Sequence, residues 1–218
     1  MNGQIGVYFA TNRTHKLHIG AGGCLLGPRG WLDTDIEPRW PDKIVQLNAT
    51  KPMGFEDNTF DYVFTEHVIE HMPYESGVAM LKEINRVLKP GGKLRISCPD
   101  LRFLIALYED KLTDTQKAYL KRAAWSDKSK AEVPHPTPCF VVNWFVRMGF
   151  PSPASHQFIY DEETLTAAMY EVGFNPIQRC ELMKSDDPEL EGLEAEWRLP
   201  PGFLALESMT FEGTKVKP

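Results

Sequence analysis

The stretch from residue 60 to residue 98 constrains the fold more than any other. Phe60-Asp-Tyr-Val-Phe-Thr65 alternates aromatic and β-branched residues after the turn signal Glu56-Asp-Asn-Thr59, which reads as a strand. Met80, Leu81, Ile84, Val87 and Leu88 then fall at helical spacing. Lys89-Pro-Gly-Gly92 stops that helix, and Lys93-Leu-Arg-Ile-Ser-Cys98 restarts a strand before Pro99. Strand, turn and helix alternate, and that order points to an α/β sheet.

The flanking segments extend the pattern. Lys16-Leu-His-Ile-Gly20 reads as a strand that ends in the glycine turn Ala21-Gly-Gly23. Gly30 to Asp35 and Lys43 to Leu47 are the second and third candidates. A helical crossover between parallel strands takes roughly a dozen residues or more, and the gaps here are shorter. Either those helices are reduced to turns or the strands end elsewhere. Asp100 to Ala124 is expected to be helical, and Glu132 to Pro138 a loop, because Pro134, Pro136 and Pro138 prevent regular structure. Cys139 to Met148 is a short aromatic-rich segment closed by Gly149-Phe-Pro-Ser-Pro153. Asp161 caps a helix that Gly173 ends. Two strands follow, near Phe174 to Leu182 and Phe203 to Thr214, with no helix between them; they read as an antiparallel hairpin at one sheet edge. No repeat or linker divides the chain, so residues 1–218 are expected to form one domain.

Charge and composition narrow the partners. The formal net charge is −6, whereas a nucleic-acid binder normally carries a basic stripe that releases counterions from phosphates. The densest basic stretch holds Lys117, Lys121, Arg122, Lys128 and Lys130, and its spacing fits the solvated face of a helix. Nucleic acid is therefore disfavoured as a partner. No apolar run approaches the ~18 residues of a membrane span, and Met1 to Lys16 lacks an apolar signal region, so a cytoplasmic protein is expected. Cys24, Cys98, Cys139 and Cys180 lie far apart and are expected to be reduced thiols rather than disulfides or zinc ligands.

The residues that carry chemistry cluster early. Glycines at the end of the first strand let backbone approach a ligand with no Cβ in the way. Alone, such a turn is more often just a turn. Asp35 ends the second strand, where a carboxylate can accept both hydroxyls of a ribose, although a lone Asp there is usually a cap. The order of pieces says more: Phe60-Asp-Tyr-Val, then Glu66-His-Val-Ile-Glu-His-Met72, a helix, and Arg86-Val-Leu-Lys-Pro-Gly-Gly-Lys-Leu94. In this order the sequence resembles the class I S-adenosylmethionine (SAM)-dependent methyltransferases, nearest to a small bacterial type. The likeness covers residues 16 to 100 well. Later, His156 to Leu165 and Val172-Gly-Phe174 resemble the region where such enzymes finish their sheet.

The resemblance implies a Rossmann-like sandwich, mostly parallel with an antiparallel C-terminal hairpin and shortened N-terminal crossovers, and SAM as cofactor. Gly20, Ala21 and Gly22 would run beside its methionyl and ribose parts. Asp35 would take the ribose diol, with Ile36 against the adenine. Asn48 and Ala49 fall near the adenine amine, whose hydrogen bond an Asn carbonyl can accept. Glu66 and His67 would line the methyl donor, while Arg86 to Gly92 would be structural. Two residues depart from the pattern: His18 stands where many members carry an acid, and Cys24 replaces the motif's third glycine.

His67-Val-Ile-Glu-His71 also fits H-x-x-E-H, in which two histidines on one helical face hold zinc and the Glu is the base. That reading makes a zinc hydrolase of His67, Glu70 and His71, and needs a longer helix and a distant third ligand; Pro73 follows at once, and no metal is expected. For the methyl transfer, a His of near-neutral pKa suits a hydroxyl nucleophile, so His67, with His156, is the expected base. His156 reads equally as a substrate contact or a loop residue near the Asp161 cap. His135, among prolines, is expected to be exposed. Trp144, Phe145, Phe150 and Phe158 are expected in the core, or else in an apolar pocket wall. The insert from about Leu101 to Tyr160 would build the acceptor pocket, fitting a small-molecule or sugar-like acceptor better than a polyanion. A rival reading is a SAM-binding fold that transfers no methyl group.

Overall fold

The computed structural model describes residues 3–123, 137–147 and 155–217. Strands β1 (Lys16–Ile19), β2 (Trp31–Asp35), β3 (Val45–Gln46), β4 (Phe60–Glu66), β5 (Leu88–Pro99), β6 (Phe174–Cys180) and β7 (Ser208–Lys215) form one sheet. Its order is β3-β2-β1-β4-β5-β7-β6. The first five strands run parallel, and β7 lies antiparallel between β5 and β6. The expected α/β Rossmann-like sheet with an antiparallel C-terminal pair is present. Chain order changes direction at β1, whose neighbours are β2 on one side and β4 on the other. A crevice opens beyond the carboxyl ends of strands at such a switch point.

Helix α1 (Gly3–Thr11) precedes the sheet, and α2 (Tyr74–Val87) connects β4 to β5. Met80, Leu81, Ile84 and Val87 of α2 are fully buried against Leu17, Val63, Leu94 and Ile96. Each such side chain contributes roughly 1.5–3 kcal/mol of burial, so this stripe fixes α2 on the sheet. The Arg86 to Gly92 segment is a brace. Arg86 bonds Glu83, Asp57 and the Phe55 carbonyl, and Lys89 Nζ pairs with Asp61 at 2.8 Å. A Cβ at Gly92 would stand 2.9 Å from the carbonyl oxygens of Asp61 and Lys89, so only glycine lets the strands close there. This turn is a bulge within β5 and not a loop before it, because Leu88 already pairs with Phe60.

Four sequence expectations change. The helix expected over Asp100 to Ala124 is two, α3 (Leu101–Ala106) and α4 (Asp114–Ala123). Thr113 and Gln116 bond reciprocally, side chain to backbone, and restart the helix as a capping box. The Cys139 to Met148 segment is helix α5 (Pro138–Val146), with Thr137 as N-cap and Pro138 in the first turn, so Pro138 opens a helix instead of ending a loop. Helix α6 (Glu162–Glu171) follows its Asp161 cap as expected. The last strand begins at Ser208, since Phe203–Glu207 is a short helix, α7; Leu, Ala and Glu there favour helix, and a short apolar run does not separate the two states. The hairpin is accordingly no tight turn: residues 181–207 join β6 to β7.

That long connection explains the short crossovers. Between β1 and β2 the chain makes only a 3-10 turn at Gly27–Arg29. The sheet face a helix would have covered is covered by Leu190 and Leu193, which pack with Leu26, Trp31 and Phe64. Arg95 of β5, fully buried, holds Glu194 (Nε–Oε1 2.6 Å) and Glu212 (Nη1–Oε1 2.5 Å) beneath it. The first two strand boundaries stand to within a residue, the third strand shortens from Lys43 to Leu47 to Val45–Gln46, and the helices are reduced to turns. Elsewhere α3, α4, α5 and α7 share an apolar cluster around Phe103, Tyr119, Val141, Phe145 and Phe203. Phe145 is a core residue with Trp144 half-buried beside it, and Phe158 packs half-buried against the main core. Lys117 is exposed and paired with Asp114. His135, Phe150, Lys128, Lys130, Pro134, Pro136 and the Gly149 to Pro153 turn lie outside the described residues. All four cysteines are free thiols, and no helix among the described residues is long and apolar enough to cross a membrane.

Candidate functional site

A pocket of about 450 Å³ opens at the switch point, on the carboxyl ends of β1, β2 and β4. Its wall includes every residue assigned above to the cofactor: Gly20, Ala21, Gly22, Asp35, Ile36, Asn48, Ala49 and Glu66. The size suits a drug-sized ligand.

The floor is set by packing. Gly20 has φ +78°, and a Cβ there would come within 2.1 Å of Val68 Cγ2, so the turn admits glycine alone. The Gly20 and Ala21 amides both donate to the Thr34 carbonyl at 2.9 Å, which pins the turn to β2. Asp35 completes the pin: Oδ2 accepts from the Gly22 amide (2.8 Å) and Oδ1 from the Glu37 amide (2.9 Å). A carboxylate has about four acceptor sites, so two remain for a ligand. Next to it, Ile36 is 56% exposed, an apolar side chain left open at the pocket mouth.

The acid missing at position 18 has a replacement on the next strand. Asp33, buried, accepts from His18 Nδ1 (2.8 Å) and from the Leu26 and Gly27 amides. His18 thus holds the carboxylate that organises the crossover, and Cys24 continues the turn through its amide bond to the Ala21 carbonyl (2.7 Å).

Three of these side chains already have partners within the chain. Asn48 Oδ1 accepts from both the amide and the hydroxyl of Thr50, at 2.9 and 2.7 Å, so its carbonyl is spent and its amide group is what it can offer a ligand. Glu66 is held from above: it accepts from the Ala195 amide and from Arg198 Nη2 (2.9 Å). It therefore fastens the 181–207 connection over the pocket whose wall it lines. His67 has neither ring nitrogen free. Nε2 lies 2.8 Å from Ser208 Oγ and Nδ1 3.2 Å from Glu70 Oε1.

His67 lines the pocket in a left-handed backbone conformation, φ +52°, which is uncommon for a non-glycine residue. Burial, the largest influence, opposes its charge, yet the hydrogen bond and charge of Glu70 and the charge of Glu207 raise its pKa overall. Glu70 is fully buried. Its desolvation favours the neutral acid, but His67 and His71 outweigh that and hold the carboxyl below its ordinary range. Each group thus favours the charged form of the other. The H-x-x-E-H zinc geometry is absent, because only a 3-10 turn, Ile69–His71, follows His67 and the two histidines do not share a helix face. His156 stands away from the pocket wall, buried between Phe145 and His71 with ring centroids 5.1 and 4.8 Å apart. Burial lowers its pKa.

The sequence reading missed the pocket's cover. Ala195 and Arg198 reach the wall from the 181–207 connection, and their partner Glu66 lies more than a hundred residues earlier, so no local pattern announces them. A separate, more polar hollow of about 530 Å³ lies at Asp100, Arg102, Glu162 and Arg179. There Arg179 is already paired with Asp100 and Glu162.

Residues 33–96 match a family model described as a methyltransferase domain. The demethylmenaquinone methyltransferase of Staphylococcus epidermidis is 32% identical over 128 residues, 57% of this chain and 44% of that one. Phosphoethanolamine N-methyltransferase 2 of Caenorhabditis elegans is 34% identical over 82 residues, 36% of this chain and 16% of that one. The chain thus spans less than half the length of these relatives. In fold, it is similar to a SAM-dependent methyltransferase structure from Archaeoglobus fulgidus, with a TM-score of 0.52 at 17% identity over 98% of this chain and 90% of that one. Residues 33–96 thus resemble a methyltransferase domain, and the fold around them is the one seen in SAM-dependent methyltransferases.

Proposed function

We propose that this protein binds SAM in the switch-point pocket and transfers its methyl group to a hydroxyl of a small or sugar-like molecule. One observation carries the reading: Asp35 closes the glycine turn with one bond to each carboxylate oxygen and keeps an acceptor site on each at a 450 Å³ cavity. SAM, when bound, supplies an electrophilic methyl carbon on a sulfonium. The chain's part is to bind and orient. Asp35 accepts the ribose diol, Ile36 and Ala49 give apolar surface to the adenine, and the Asn48 amide donates to a ring nitrogen. Gly20, Ala21 and Gly22 keep Cβ atoms out of the ligand's path. Orientation of this kind is the main contribution a protein makes to a displacement in line with the breaking bond.

His67 sits at the pocket edge as a positioning group, since Ser208 and Glu70 occupy its two nitrogens. His156 has no place in this transfer. Arg198 is the sole Lys or Arg among the described lining residues, and Glu66 neutralises it. That balance favours a small acceptor over nucleic acid, as do the small acceptors named in its relatives. Strands from Lys16 to Lys215 share one sheet, which supports a single domain, and four free thiols fit a cytoplasmic enzyme.

Calorimetric titration with SAM and S-adenosylhomocysteine tests the reading. Hydrogen bonds to a charged group contribute about 1.5–3 kcal/mol each, so Asp35→Ala is expected to weaken binding about 100-fold. No heat of binding in the wild type at about 1 mM ligand, where even the weakest specific complexes form, would overturn it. Binding with no product from any hydroxyl acceptor would favour the non-transferring alternative.

A further inference from the structure

Next to the pocket, but outside the role just described, four buried polar atoms on three residues make no hydrogen bond: both carboxylate oxygens of Glu70, His71 Nδ1 and His156 Nδ1. An unpaired buried polar group costs free energy, and each one in a native fold calls for an explanation. The three residues converge. One ligand atom from each of Glu70, His71 and His156 lies within 4.8 Å of the other two.

The convergence is built, not incidental. The amides of Gln157 and Phe158 donate to the Glu70 carbonyl at 2.7 and 3.2 Å, and Gln157 Nε2 donates to the His71 carbonyl at 2.8 Å. These bonds zip the segment after His156 onto the turn that carries Glu70 and His71. The His156 ring packs edge-on against Phe145, centroids 5.1 Å apart, and that buried contact fixes its orientation. Glu70 is likewise oriented, by the contact of its Oε1 with His67.

We propose that Glu70, His71 and His156 form a binding site for a divalent d-block cation of the zinc class. Two imidazoles and a carboxylate are the ligands such ions prefer, whereas calcium and magnesium take oxygen sets. Three protein ligands leave a coordination position open, and His71 lies on the wall of the pocket. The site differs from the H-x-x-E-H reading of the sequence. His67 drops out as a ligand, and His156, far along the chain, supplies the third that reading lacked. Closing a 4.8 Å spread to metal–ligand distances of about 2.0–2.2 Å needs side-chain shifts on the order of 1 Å.

The test is equilibrium dialysis of the full chain, stripped with chelator, against Zn²⁺ and against Co²⁺, with metal counted per chain and the visible Co²⁺ spectrum recorded. About one equivalent is expected at micromolar free metal, with Co²⁺ bands of a nitrogen–oxygen site. His156→Ala and Glu70→Gln should each lower this below about 0.2 equivalents while circular dichroism stays native. His71, 32% exposed, gives a third variant, His71→Ala, that disturbs the core least. Wild-type binding below about 0.2 equivalents, or an unchanged stoichiometry in folded His156→Ala or His71→Ala, overturns the proposal. Titration with S-adenosylhomocysteine on the same samples reports the nucleoside pocket separately, so the two readings fail independently.

Discussion

The pocket has two walls of different origin. Its floor comes from residues 18–50, where each side chain is fixed by a partner within about one strand–turn–strand unit: Asp35 by Gly22 and Glu37, Asp33 by His18, Leu26 and Gly27. Its cover comes from residues 181–207 and is fixed across the chain: Glu194 by Arg95, Ala195 and Arg198 by Glu66. The floor is local and the cover is long-range. The same sheet needs both, because its first crossover has no helix to shield Trp31 of β2 and Phe64 of β4. A short crossover thus transfers its shielding task to a distant segment, and that segment brings side chains to the pocket that the crossover would have supplied.

The largest effect is expected at the pin of the cover. Glu194 and Arg95 are both fully buried, and Glu194 also accepts from the Met183 amide. Removing one partner of a buried pair costs about 3–5 kcal/mol, because the other charge stays uncompensated. Glu194→Ala should therefore lower unfolding free energy by about that amount in a denaturant titration, toward the low end since Glu212 also pairs with Arg95. A loss below about 1 kcal/mol would mean that the apolar contacts of Leu190 and Leu193 hold the cover alone.

The comparison also separates what could be read from the sequence. The floor was legible because its signals are short: a glycine turn after an apolar strand, an Asp at the next strand's end, an Arg-Val-Leu-Lys-Pro-Gly-Gly brace. Asn48 was legible in place but not in role, since Thr50 two residues on takes its carbonyl. The split between α3 and α4 was readable and overlooked: Thr113-x-x-Gln116 is a capping box. The cover was not readable, as Ala195 and Arg198 lie more than a hundred residues from Glu66; Glu70, His71 and His156 were each legible singly, but only the folded chain brings His156 to the other two.

Arg198→Ala sharpens the comparison at smaller scale. Arg198 bonds Glu66 at the pocket wall but is 37% exposed, and pairs screened by solvent contribute little. S-adenosylhomocysteine affinity should fall about 3- to 10-fold, well short of the loss at Asp35, with unfolding barely changed. Equal losses at Arg198 and Asp35 would break the distinction, making the cover as much a part of recognition as the floor.

The smallest effect is a pH dependence at the cover's far end. Asp187 opposes its own burial by accepting from Lys93 Nζ (2.8 Å) and from the Glu189 amide, and the balance holds its pKa below the ordinary value. A carboxyl with a lowered folded pKa contributes stability that is complete above its unfolded pKa, about 3.9, and is lost as pH falls through the folded one. Asp187→Asn should therefore destabilise the protein by about 1 kcal/mol or less at pH 7. The difference from wild type should shrink as pH drops below about 4. A difference that stays constant into acid would assign the loss to the Asp187 backbone turn instead of its charge, and the cover would then be held near Lys93 by chain geometry and apolar packing alone.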